Sequence, residues 1–328
     1  MYIIDLHQDL SDTALILTHA DFFTENKLHD GWNDLGLGVN NQTDFPRLKK
    51  GKVKVIFGSA CVFDFENGDV IRAKNPVSDT FRHLEYYQSL VNKKPKNIQF
   101  LKTKKDLKNI EKFDLNILLH IENASVLEEG LFYLDPLFEI GVRSIGLTWN
   151  HKNKFASGPR AEGGLTTEGK KLIKLMNHKG IIVDLAHLNE QSFFDVLKAI
   201  KKPPVYSHAN CKDLNNHLRN ITDKQMKALA KSGGVFGMSA VAPFIGGKET
   251  IYDFINHILH AIEIMGINHV AIGTDFGGMT VDHLTEGLED VTTLPHLLKL
   301  LKKSGLSETD IEKITNKNAL RVIKQNIP

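Results

Sequence analysis

Six side chains of this 328-residue chain are of the kinds that hold divalent metals or move protons, and each closes a short apolar run. His7 and Asp9 follow YII, Glu122 closes NILLHIE, and His187 closes IIVDLAH. His208 lies in PVYSHA and Asp275 closes HVAIGTD. Three histidines with Asp9 and Glu122 form a nitrogen-and-oxygen donor set suited to zinc or a similar divalent ion. One catalytic metal uses three protein ligands and keeps a position open. Five ligands and a further carboxylate therefore suggest two metals bridged by a carboxylate, about 3.5–4 Å apart. A water between them would be acidified enough to attack a carbonyl near neutral pH.

Taken singly, each residue has a plainer reading. An isolated His-x-Asp pair is weak, and a histidine at a strand end can be a hydrogen-bonded core residue. The signal is their coincidence at the same end of several runs. Burying so many titratable groups together without a cation would cost several kcal/mol each (roughly, from desolvation). His120, two before Glu122, is read as structural. His19, His29, His178, His257 and His260 fall on loops or helices and are expected to take no part.

The elements that must position these residues alternate. Strand runs are expected at 2–7, 54–62, 116–122, 144–150, 181–187, 204–209, 234–240 and 269–275. Most are continuous apolar runs, as in parallel strands covered on both faces. Helical patterns lie between them at 127–141, 166–180, 189–202, 222–234 and 251–266, and two more fill the tail. Thr166, Asn189 and Thr222 stand where N-caps are expected, and Gly180 where a helix stops. Eight strands alternating with helices predict an α/β protein with a (β/α)8 barrel, whose active site gathers at the C-terminal ends of the strands. A doubly wound open sheet is the alternative, but no glycine-rich dinucleotide fingerprint follows the first strand. The chain is expected to be one barrel domain over 1–328, with a long loop or insertion at about 20–52 and C-terminal helices at about 290–325.

Composition narrows the function. Hydrophobic residues make up 41% and charged residues 24%, enough to bury a core. A net charge of +2, without an aromatic-rich basic cluster, argues against nucleic-acid binding. Two cysteines, Cys61 and Cys211, imply no disulfide framework and favour a reducing compartment. No stretch reaches the length of a membrane span, and the N-terminus carries no basic and apolar leader pattern, so a soluble cytoplasmic protein is expected.

Several stretches resemble the membrane (renal) dipeptidases and their soluble bacterial relatives in the amidohydrolase superfamily: DLHQDL, DFPRLKKGKVKVIFGSACV, HIENAS, GVRSIGLTWNHKNKFASG, GLTTEGKKLIKLMNHKGIIVDLAH, YSHANCKDLNNHLRNITDKQMKALAKSGGVFGM, GTDFGG and NKNALRVI. The resemblance runs through most of the chain. It implies a metallo-dependent hydrolase barrel that splits free dipeptides, L-Xaa-D-Xaa included, with two Zn2+ per chain bridged by Glu122 and a water or hydroxide. It implies that His7, Asp9 and Glu122 hold one ion, and Glu122, His187 and His208 the other. Asp275 would be the catalytic proton carrier, and Arg219 in NHLRNITD would bind the dipeptide's free carboxylate. A guanidinium suits that task through paired hydrogen bonds. The resemblance also implies a homodimer as the assembly. Where many family members have L-T-H after the fourth strand, this chain has LTWN. Trp149 takes the histidine's place and His151 lies two further on, so both are candidate substrate-binding residues. That departure keeps open another amidohydrolase activity, an N-acyl amino acid deacylase or a lactonase. A barrel that binds metal without turnover is the remaining rival.

Overall fold

The computed structural model describes residues 1–32, 38–66 and 69–328. Each of the eight apolar runs forms a strand: β1 (Ile3–Gln8), β2 (Val53–Ala60), β3 (Leu115–Ile121), β4 (Val142–Gly146), β5 (Ile182–Asp184), β6 (Val205–Ala209), β7 (Val235–Met238) and β8 (Val270–Ile272). Each pairs in parallel with the next, and β8 pairs back onto β1 with Asp5 opposite Ile272. The sheet is therefore a closed parallel eight-stranded barrel, as expected. A short further strand, Ile98–Phe100, pairs along the start of β3 outside the ring.

Helices connect the strands and cover the barrel. They are α1 (Pro76–Lys93), α2 (Leu134–Ile140), α3 (Thr167–Lys179), α4 (Glu190–Ala199), α5 (Asp223–Lys231), α6 (Ile251–Met265), α7 (Leu294–Lys303), α8 (Glu308–Glu312) and α9 (Asn318–Asn326). The predicted caps hold: Thr166, Asn189 and Thr222 accept from the backbone N–H of Gly169, Ser192 and Gln225. Gly180 ends α3 in a left-handed turn at φ 78°, which glycine adopts without strain.

Two helical regions differ from expectation. The 127–141 pattern is not one helix, because Gly130 interrupts it and only Leu134–Ile140 is α-helical, behind a 3-10 turn at Leu131–Tyr133. In contrast, α1 was not foreseen. Its buried face is Pro76, Thr80, His83, Leu84, Tyr87 and Leu90, a helical spacing of which half is polar or aromatic.

The barrel interior is filled by Ile4, Leu6, Val55, Phe57, Leu118, Ile182, Val205, Val235 and Ala271. Ala319, Val322 and Ile323 of α9 join this cluster from below, at the strands' first residues. Asn316 donates to Tyr2 O (2.9 Å), and Asn318 donates to Val270 O (2.8 Å). The C-terminal segment thus closes the N-terminal end of the barrel and leaves the opposite mouth for chemistry. Of the expected 20–52 connection, Phe45–Lys50 is a short helix capped by Asp44, and residues 33–37 lie outside the described residues.

Candidate metal centre

The five expected ligands meet at the C-terminal mouth. His7 lies within β1 and Asp9 just beyond its end; Glu122 directly follows β3, and His208 lies in β6. His187 stands three residues beyond β5, and Asp275 three beyond β8. These last two are not strand residues. Both adopt left-handed backbone angles, φ 60° and 70°, which non-glycine residues hold only at a cost. The turns end the ladder and set the side chains beside Glu122 and His7 respectively.

Glu122 stands between two groups. Its Oε2 lies 3.7 Å from His7 Nε2, while its Oε1 lies 2.7 Å from His187 Nε2 and 3.4 Å from His208 Nε2. His7 Nε2 is 3.3 Å from Asp9 Oδ1 and 3.7 Å from Asp275 Oδ1. The Nε2 atoms of His187 and His208 are 3.0 Å apart. Two overlapping sets, His7–Glu122–His208 and His7–Asp9–Asp275, each bring three donor atoms within 4.8 Å of one another.

Two observations show that these residues fit cations. Both ring nitrogens of His7 and Oδ1 of Asp9 are buried without a hydrogen-bond partner, the kind of orphaned polar atom a folded chain avoids. The electrostatics agree. Burial would lower the His7 pKa, but Asp9, Glu122 and Asp275 outweigh it and hold the group well above its usual range. Burial would raise Glu122, but His7, His187 and the Cys61 thiol pull it down, so it stays a carboxylate. Burial and the Arg219 charge push His187 down to about 4, and burial with neighbouring positive charge pushes His208 well down. Glu122 as a carboxylate and His187 and His208 as neutral imidazoles are in the forms that bind a divalent ion, while His7 carries the positive charge that the surrounding carboxylates attract. Burial raises Asp275 to about 7.

Arg219 is buried, with Nη2 3.4 Å from the His208 carbonyl and Nη1 without a partner. It borders a cavity of about 310 Å³ with Tyr206, Asn189 and Lys212. Trp149 is half-buried at the rim. Its ring stacks on Phe63 at 5.8 Å and lies 5.9 Å from the His187 ring. His151 is exposed and borders, with Trp149, a hollow of about 40 Å³. It is not drawn into the polar cluster.

Sequence reasoning passed over the residues that hold the ligands. Asp5 accepts from Gln8 Nε2 (2.8 Å), Thr274 N (2.8 Å) and Thr274 Oγ1 (2.6 Å), tying β1 to the segment that carries Asp275. Asn150 Oδ1 lies 3.2 Å from His187 Nδ1. Asp184 and Ser207 lie beneath His208, and His120 Nδ1 lies 3.0 Å from Ser144 Oγ, the structural role expected of it. The available signal was a polar residue inside an apolar strand run, as in VDLAH and VYSHA.

Comparisons with known proteins agree with this geometry. Residues 1–327 match the family model of the membrane dipeptidases, peptidase family M19. The chain is 31% identical to an uncharacterised dipeptidase of Schizosaccharomyces pombe, over 95% of its own length and 80% of that protein's. It shares the fold of a Rhodobacter sphaeroides metallopeptidase solved with a phosphinate mimic of L-Ala-D-Ala, with TM-score 0.87, 22% identity and 99% of each chain covered. It also shares the fold of a probable dipeptidase of Pseudomonas aeruginosa, with TM-score 0.84, 18% identity, and 99% and 95% covered. The chain belongs to the membrane dipeptidase family, peptidase family M19, and is by that membership a metallo-dipeptidase.

Proposed function

We propose that this chain hydrolyses free dipeptides, L-Xaa-D-Xaa among them, at a centre for two zinc ions. The observation that carries the reading is Glu122, placed between His7 on one side and His187 with His208 on the other. His7, Asp9 and Glu122 would hold one ion, and Glu122, His187 and His208 the second. Bound ions would supply Lewis acidity, polarising the scissile carbonyl and lowering the pKa of the water that attacks it.

The remaining work falls to side chains. Asp275, beside His7, receives the proton of the attacking water at a carboxylate oxygen and returns it to the leaving amine. Arg219 offers its unpaired, buried Nη1 to the dipeptide's free carboxylate. An internal peptide bond has no free carboxylate at that distance, so this contact disfavours endopeptidase cleavage. Trp149, backed by Phe63, forms a wall beside His187, and His151 at the rim is the other candidate contact for the substrate. The bound phosphinate mimic of L-Ala-D-Ala in the Rhodobacter sphaeroides relative supports the stereochemistry. Among the described residues, no helix is long and apolar enough to cross a membrane. The free thiols of Cys61 and Cys211 support a cytoplasmic setting, and a homodimer is the assembly the family implies.

A substrate panel tests the reading: L-Ala-D-Ala and L-Leu-D-Ala beside N-acetyl amino acids and lactones. Turnover of the dipeptides is expected. Turnover of N-acyl amino acids or lactones alone would replace the dipeptidase reading with the deacylase or lactonase that the Trp149 departure leaves open.

A further inference from the structure

His208 could offer its ring in either of two tautomers, and what lies behind it selects one. Ser207 and His208 are consecutive, so in a regular strand they would face opposite sides of the sheet. The β6–β7 register slips between Tyr206 and Ala209, and this irregularity lets both reach the polar cluster. The Ser207 backbone is clamped there. A Cβ on Gly237 or Gly273 would lie 1.9 or 1.8 Å from the Ser207 carbonyl oxygen, so only glycine fits against it.

Asp184 sits below, fully buried. Its Oδ1 accepts from the backbone N–H of Ala186 and Ser207, both at 3.0 Å. Its Oδ2 accepts from Ser207 Oγ at 2.5 Å and lies 3.4 Å from His120 Nε2. A serine hydroxyl has a single proton. With that proton given to Asp184, Ser207 Oγ has only lone pairs for His208 Nδ1, 2.8 Å away. Nδ1 must then carry the ring proton. Nε2 is left bare, facing Glu122 and His187. A bare Nε2 with Nδ1–H held from behind is the state in which a histidine binds a divalent ion.

We propose that Asp184, acting through the Ser207 hydroxyl, is a positioning residue that locks His208 in the Nδ1–H tautomer and so sets the affinity of the ion His208 would hold. The inference rests on the proposed reading of His208 as a ligand. His187 is oriented differently, by the neutral amide of Asn150, so the device belongs to His208 alone.

Asp184→Asn keeps shape but reverses the relay. The amide oxygen must still face the N–H groups of Ala186 and Ser207, so its NH2 faces Ser207 Oγ and donates to it. The serine proton then turns to His208 Nδ1, and the ring proton moves to Nε2. Two readouts on the full-length protein follow this. One is zinc affinity, by competition with a fluorescent chelator. The other is the 15N shift pattern of the His208 ring in chelator-treated protein.

In Asp184→Asn, one of two zinc ions is expected to bind about 10–100-fold more weakly, with His208 protonated at Nε2. Ser207→Ala removes the lock without reversing it and weakens the same ion, while Ser207→Thr, which keeps a hydroxyl, restores the wild-type tautomer. Wild-type zinc affinity with an unchanged His208 ring in Asp184→Asn would overturn the proposal. Should that variant fail to fold, the same result in Ser207→Ala overturns it. If the wild-type chain binds no zinc, the metal reading fails, and the ring pattern in the two variants still decides the relay.

Discussion

His187 and Asp275 hold left-handed backbone angles that cost about 1–3 kcal/mol each, and the structure retains them because the turns deliver side chains that straight strands could not. This explains why the donor types were legible in the sequence while the local geometry was not. A run such as IIVDLAH announces a buried strand and a histidine, but not that the strand ends at Asp184 and the histidine comes from a turn. The roles proposed for Asp275 and Arg219 predict different effects of substitution. In the proposed reading, Asp275→Asn would remove proton transfer and leave the other donors in place. Its kcat should fall at least about 100-fold with little change in KM or metal content, and near wild-type turnover would remove Asp275 from the chemistry. Arg219→Ala would delete the proposed charged hydrogen bond to the substrate carboxylate, about 1.5–3 kcal/mol. KM for a free dipeptide should rise about tenfold to more than a hundredfold, with little change for its C-terminal amide. Equal effects on both substrates would argue against a carboxylate contact.

At the scale of elements, sequence legibility followed aliphatic content. Six of the eight strands carry two or more of Val, Ile and Leu, and β6 and β7 carry one beside an aromatic residue, so all eight are legible. The α1 helix buries Thr80, His83 and Tyr87 along its inner face, so a search for aliphatic periodicity passes over it. Strand irregularities leave no aliphatic trace either. β1 shifts register against β2 between Asp5 and Gln8, and β6 shifts against β7 after Tyr206, in both cases beside candidate ligands. The glycines of GVFGMSA and HVAIGTD show what such closeness requires. Gly237 in β7 and Gly273 just after β8 lie against the Ser207 carbonyl, where a methyl group has no room. Gly237→Ala should therefore lower stability by about 2–3 kcal/mol or more and weaken metal binding together with it. This can be read as a shift in the urea midpoint beside a zinc titration, and an unchanged midpoint would show that β6 yields easily.

For the molecule as a whole, the chain separates stability from chemistry along the barrel axis. Aliphatic layers and the α9 plug fill the lower end, while carboxylates, imidazoles and a guanidinium crowd the upper one. The same C-terminal segment contains NKNALRVI, whose Asn316 and Asn318 tie it to the strand starts, so that motif serves the fold rather than the site. That such a concentration of buried donors needs a compensating cation is a measurable requirement. It is tested most directly by elemental analysis of purified protein, with L-Ala-D-Ala hydrolysis measured before chelation, after it, and after zinc is restored. About two zinc ions per chain are expected, with activity lost on chelation and recovered with zinc. A folded protein that takes up no divalent ion when zinc is supplied, or that hydrolyses the dipeptide undiminished after chelation, would contradict that expectation.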